Sequence, residues 1–196
     1  MQTDKFFATK SNKRLHRWGF NDSGFELTGE KTVTFSGNRY EVSGTTMPDF
    51  IPYIESVLGI DFNKEDQISP VDTKPTQPSS LDHEFFQQIK NSFNEDRYTV
   101  DDLERLIHSH GQETFKDVYK VLYNSIERTV DLVFYPETED EVSKLVEIAV
   151  KFNVCIIPYG GGTNVTRALT IPDNEKRSVI SMDMRRMSKI EWINKE

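Results

Sequence analysis

A chain of 196 residues suffices for one domain or one and a half. With 36% hydrophobic and 29% charged residues and a mean hydropathy of −0.60, it is polar for a single compact core, which suggests a folded part with polar extensions. The net charge of −8 disfavours a nucleic-acid surface, which needs a basic stripe. The lone Cys155 excludes an internal disulfide, and no apolar run reaches the ~20 residues of a membrane span.

The first 19 residues depart from the acidic balance. Lys5, Lys10, Lys13, Arg14 and Arg17 face one acid, Asp4, with Phe6, Phe7 and Trp18 nearby. Such an arm is either a solvated terminus, the commoner case, or a contact for anionic lipid. It lacks the apolar core of a secretory signal. Residues 31–42 alternate Val33/Phe35 and Tyr40/Val42 about Ser36-Gly37-Asn38, which predicts a β-hairpin. A helix follows from Pro48, becoming regular near Pro52 and stopped by Gly59, with Phe50, Ile51, Ile54, Val57 and Leu58 apolar. Residues 1–60 thus form an N-terminal appendage, and residues 61–80, holding Pro70, Pro75 and Pro78, a polar linker.

Residues 81–127 read as helical. Ser80 caps a helix carrying Phe85, Phe86, Ile89 and Phe93 on one side. Thr99 and Asp102 open another as a capping box, with Val100, Leu103, Leu106 and Ile107 as its apolar stripe and Gly111 at its end. Residues 113–126 form a third through Phe115, Val118, Tyr119 and Leu122. From residue 128 the pattern changes to βαβ: a strand over 130–135 closed by Pro136, then a helix capped by Thr138 with Glu141 at N3. Val142, Leu145, Val146 and Ala149 mark that helix's inner face, and Asn153 breaks it. Further strands are predicted at 154–157, 178–183 and 190–193.

Directly after the 154–157 strand stands Pro158-Tyr159-Gly160-Gly161-Gly162-Thr163-Asn164-Val165. Three consecutive glycines carry a large backbone entropy cost unless positive φ or close approach of another group requires them. Successive N–H groups in such a turn can form a nest for an anion such as a pyrophosphate, and Thr163 and Asn164 add side-chain donors. A tight turn without a ligand is the plain alternative. The pattern is neither GxGxxG nor a P-loop.

Other polar residues carry bland readings. Cys155 lies among Val154, Ile156 and Ile157 and reads as a buried structural thiol. His108 and His110, two apart on a helix, face different sides and are not a metal pair; no metal site is expected. Arg185 and Arg186 could touch a phosphate, though a solvated turn is the simpler reading.

The order of elements in 130–165, VDLVFYPETEDEVSKLVEIAVKFNVCIIPYGGGTNV, resembles the flavin domain of the vanillyl-alcohol oxidase type, and SVISMDMRRMSKIEWIN continues the likeness. Within that superfamily the chain resembles the alkylglycerone-phosphate synthase family. The residues behind this are Trp18-Gly-Phe-Asn-Asp22, Tyr40-Glu-Val-Ser-Gly44, the segment from Pro48-Asp-Phe50 to Leu58-Gly59, and Arg105 with His110-Gly111. Residues 112–129 match less well, and Thr129 stands where that family usually has Pro.

The resemblance implies an α+β fold: a helical N-terminal region, then the first βαβ subdomain of a vanillyl-alcohol oxidase-type FAD-binding domain over 128–196, truncated. It implies FAD as cofactor, with Pro158, Tyr159, Gly160, Gly161, Gly162, Thr163 and Asn164 around its pyrophosphate. The implied reaction exchanges the acyl chain of acyl-dihydroxyacetone phosphate for a long-chain fatty alcohol, without net redox. Catalytic residues would lie beyond Glu196, so that the chain alone is expected to be inactive. A 2-hydroxyacid dehydrogenase or oxidase of the same superfamily, or a non-catalytic fragment, is the alternative. A peroxisomal homodimer with peripheral membrane contact would follow for the whole enzyme, although neither Arg14-Leu15 nor Asn194-Lys195-Glu196 fits a peroxisomal address.

Overall fold

The computed structural model describes residues 13–14, 19–62, 78–111, 114–123 and 125–195. The chain divides into two compact units, one within residues 12–72 and the other within 73–196. Most of the basic N-terminal arm and of the Pro-rich linker lies outside the described residues. Lys13 and Arg14 are described. Arg14 does not reach into solvent but donates to the carbonyls of Phe20 (2.7 Å) and Ser23 (2.8 Å).

In the first unit, β1 (Gly24–Leu27), β2 (Val33–Ser36) and β3 (Thr46–Met47) form an antiparallel sheet in that order, followed by α1 (Phe50–Leu58). The expected hairpin about Ser36-Gly37-Asn38 is not formed. β2 pairs backward with β1, Phe25 opposite Phe35, and forward with Thr46–Met47. Aromatic packing accounts for this: Phe25 meets Phe35 edge-on at 4.9 Å and stacks on Phe50 at 5.0 Å. Tyr40 and Val42 lie instead in an exposed loop closed where Gly44 N–H donates to Phe35 O. Gly59 ends α1 in the left-handed conformation, its N–H on Glu55 O. Only Ile51 of the helix is buried.

In the second unit, the sheet runs β4 (Tyr98–Thr99), β5 (Leu132–Phe134), β7 (Val179–Asp183), β6 (Cys155–Tyr159). β5, β7 and β6 are parallel, and β4 is an antiparallel edge. The crossover from β5 through α5 (Glu139–Lys151) to β6 leaves a slot between them, which β7 fills. Strand residues point alternately to two faces. Leu132, Phe134, Ile180 and Met182 pack under Phe85, Ile89 and Phe93 and under Leu145, Ile148 and Ala149 of α5. Val133, Tyr135, Ile157, Tyr159 and Val179 form the other face with Leu169 and Ile171. The mixed helix-and-sheet class matches the expectation.

Several caps shift from their expected positions. α2 (His83–Ser92) is capped by Asp82, which accepts from Phe85 N–H, because Ser80 is engaged with Asp131. α3 (Asp102–Ile107) is capped by Asp101, while Thr99 Oγ1 accepts from Asp101 N–H. Its stripe differs too: Leu106 and Ile107 are buried, but Val100 and Leu103 are exposed and Glu104 and Arg105 take the inner face. α4 (Phe115–Leu122) buries Val121, whereas Phe115 and Tyr119 face outward. α5 opens as predicted: Thr138 Oγ1 accepts from Glu141 N–H and Glu141 reaches back to Glu137 N–H. Its inner face is Leu145, Ile148 and Ala149, with Val146 exposed. Residues 190–193 form no strand. Ile190, Trp192 and Ile193 are exposed, with no neighbouring strand among the described residues to supply ladder hydrogen bonds.

Candidate functional site

The three parallel strands end side by side, Tyr159 in register with Asp183 and Phe134 with Met182. In open α/β sheets this carboxyl edge is where ligands bind. β6 leads through Pro158 and Tyr159 directly into Gly160-Gly161-Gly162.

The three glycines are not equivalent. Gly162 has φ 71°, so a left-handed backbone accounts for it. Gly160 and Gly161 do not have positive φ. A Cβ at Gly160 would meet nothing within 4 Å, and one at Gly161 would meet only Thr163 Cγ2, at 3.8 Å. Packing among the described residues therefore requires neither glycine, and both are exposed at the strand ends. Thr163 is exposed beside them, and Tyr159 is buried beneath. Asn164 turns the chain away at φ 63°. Its Oδ1 accepts from Leu169 N–H and its carbonyl from Arg167 N–H, both at 2.9 Å.

A second segment, the end of α3, braces this loop. Gly111 packs so closely that any side chain there would run into Asn164 Cβ and Thr163 O. Just before it, His108 is fully buried, with Nδ1 2.7 Å from Glu104 O and Nε2 2.7 Å from Asp183 Oδ2. Its ring lies against Tyr159, centroids 4.3 Å apart. Glu104 accepts from Tyr135 Oη, and Arg185 grips Asp183 through Nε (2.7 Å) and Nη2 (2.6 Å). Burial alone would push the Asp183 carboxyl up, but the bonds from His108 and Arg185 outweigh it and hold it below the usual range. Burial pushes the Tyr135 and Tyr159 hydroxyls well up, so both stay protonated.

Arg105, expected at the end of α3, is buried and donates to Val130 O (2.7 Å), Thr129 Oγ1 (3.0 Å) and Asp102 (2.9 Å). Thr129 Oγ1 thus accepts a hydrogen bond that proline, which has no hydroxyl, could not accept. Cys155 is half-buried against the second core, and burial pushes its thiol up. The sequence did not mark the His108–Asp183 pair; the one available signal was the polar Ser181 and Asp183 inside an otherwise apolar strand. Arg185 and Arg186 are not a solvated turn. Their side chains keep 29% and 11% of their exposure, and Arg186 pairs with Glu137 at 3.1 Å.

Known proteins resemble the chain in sequence and in fold. Residues 130–196 match the FAD binding domain family. The chain is 42% identical over 183 residues to an alkyldihydroxyacetonephosphate synthase of Caenorhabditis elegans, covering 91% of the chain and 30% of that relative. A protein of the same name from Dictyostelium discoideum is 32% identical over 163 residues, covering 79% and 26%. A solved alkyldihydroxyacetonephosphate synthase superposes with a TM-score of 0.75 at 27% identity, over 93% of this chain and 35% of that one. The chain thus spans about a third or less of the length of the relatives it matches. With that span, the chain belongs to the alkyldihydroxyacetonephosphate synthase family, and residues 130–196 carry the matching part of its FAD binding domain.

Proposed function

We propose that this chain holds the FAD pyrophosphate in an enzyme that exchanges the acyl chain of acyl-dihydroxyacetone phosphate for a fatty alcohol. The observation that carries the reading is the pair Gly160 and Gly161: exposed at the carboxyl edge, required by no packing among the described residues, and set in a segment matching the FAD binding domain. A bare backbone there lets a pyrophosphate approach the N–H groups closely, where a Cβ would stand between them.

The residues divide the work. Gly160, Gly161 and Thr163 face the ligand. Gly162 and Asn164 set the turn through positive φ, and Pro158 and Tyr159 fix its start at the end of β6. Bound there, the flavin supplies an electrophilic ring for an exchange without net redox. The protein's part, seen from this chain, is to bind and orient. By the same family reading the whole enzyme works in peroxisomes as a homodimer, on substrates that partition into membranes.

The test is a titration of the protein with FAD, read by flavin fluorescence, for wild type and Gly160→Val. Because the space around Gly160 is open, thermal stability should stay within about 0.5 kcal/mol, while FAD affinity falls at least tenfold. Equal affinity for the two proteins would remove the loop from the flavin site.

A further inference from the structure

A pyrophosphate is anionic, yet residues 158–166 contain no Lys or Arg. Within that stretch only backbone N–H and uncharged side-chain donors can meet its charge, and the next basic residue on the β6 side is the exposed Arg167. On the β7 side, two arginines follow Asp183, and they differ in how far their charge is already used. Arg186 lies at 3.1 Å from Glu137 and 3.9 Å from Asp96, so acids outside the edge compensate it. Among the described residues Arg185 has a single carboxylate partner, Asp183, and shares it with His108.

That sharing decides the local balance. His108 Nδ1 faces a carbonyl and Nε2 a carboxylate, and both are acceptors. His108 and Arg185 thus converge on the same buried Asp183 carboxylate, which holds both side chains in place. The nearby Glu104 carboxylate accepts from Tyr135 Oη and lies 3.8 Å from His108. Arg185 bonds through Nε and Nη2, and no described residue accepts from its Nη1. It keeps 29% of its side-chain exposure and stands two residues beyond the Asp183 that is in register with Tyr159. Gly160 follows Tyr159 directly.

We propose that Arg185, oriented by the buried Asp183–His108 pair, is a second anchor for the flavin pyrophosphate, approaching from the β7 end opposite the Gly160–Gly161 backbone. The inference rests on the flavin reading above. Arg185 is the binding residue; Asp183 and His108 are positioning residues. A guanidinium already fixed by two bonds to a buried carboxylate loses little further freedom when it meets a phosphate oxygen, so its charge-assisted bond is favourable.

The experiment compares FAD with riboflavin, which carries the same ring system without the pyrophosphate. Both are titrated into wild type, Arg185→Gln, Arg185→Lys and Arg186→Gln at low and high salt, with thermal unfolding as the control for folding. Loss of one charge-assisted bond weakens FAD binding about tenfold to a hundredfold in Arg185→Gln. Riboflavin binding stays unchanged, the loss shrinks as salt rises, Arg185→Lys recovers part of it, and Arg186→Gln binds FAD as wild type does. If FAD and riboflavin weaken together, Arg185 only supports the fold and the inference is overturned. Unchanged FAD binding in Arg185→Gln overturns it as well, and the flavin reading then stands provided Gly160→Val still loses FAD. Should Arg185→Gln fail to fold, the FAD-to-riboflavin ratio of Arg185→Lys decides, and an unchanged ratio overturns the inference. A wild-type protein that binds neither flavin, or binds both equally, removes the pyrophosphate site itself and the inference with it.

Discussion

His108 Nε2 and Asp183 Oδ2 lie 2.7 Å apart although 75 residues separate them, and both side chains are wholly buried. The pair joins the end of α3 to the end of β7 at the edge where the glycine loop begins. Removing one partner leaves a buried polar group short of a hydrogen bond, at a cost of about 1–3 kcal/mol. His108→Leu and Asp183→Asn should each lower stability in that range. The double variant should lose less than the sum of the two. Additive losses in urea unfolding would mean that the pair is not coupled.

Gly111 gives a second prediction, because its demand is purely steric. It has no positive φ, yet a Cβ would collide with Asn164 Cβ and Thr163 O. Gly111→Ala must push the 163–164 turn outward, a strain of about 1–3 kcal/mol. FAD affinity should fall with stability, since the displaced residues end the ligand loop. A variant as stable as wild type with unchanged FAD binding would show that the two segments part freely.

The pH dependence follows from Asp131. This buried carboxylate accepts from Ser80 N–H, Ser80 Oγ and Val179 N–H and pairs with Arg128. Burial alone would raise its proton affinity, but the Arg128 bond and the backbone donors outweigh that and lower it. A carboxylate depressed in the folded state contributes stability that is fully present above its unfolded value, about 3.9. The contribution is lost as pH falls through the lower folded value. Asp183 acts in the same sense. Stability should therefore decline below about pH 4, and Asp131→Asn should be less stable at neutral pH with a shallower acid decline. An unchanged acid slope in that variant would exclude Asp131 as a contributor.

How much of this was legible depended on the range of the interaction. Thr138 and Glu141, three residues apart, announced the start of α5, and Asn153 its end at φ 54°. The glycine loop declared itself by composition, though not that Gly162 serves the backbone while Gly160 and Gly161 leave it open. Where competing caps stood within two residues, local pattern failed: Asp82 took the role expected of Ser80 because Asp131, 51 residues away, had already engaged Ser80. The 33–36 strand likewise chose β1 because Phe25 packs on Phe35, a preference that alternation alone does not contain. Long-range pairs of single polar residues, such as His108 with Asp183, leave almost no sequence signature.

The orientation of α4 supplies the last prediction, since the structure reverses the face suggested by its aromatics. Val121 is 1% exposed, whereas Phe115 is 83% exposed, so helical spacing turns the valine inward and the phenylalanine out. Truncating a buried valine removes apolar contacts and leaves a cavity, while an exposed ring has little to lose. Val121→Ala should cost about 1–3 kcal/mol, and Phe115→Ser should stay within about 0.5 kcal/mol. Thermal unfolding of the two variants distinguishes the faces. If Phe115→Ser is the more damaging, the ring is covered in the protein and α4 packs with its aromatic stripe inward.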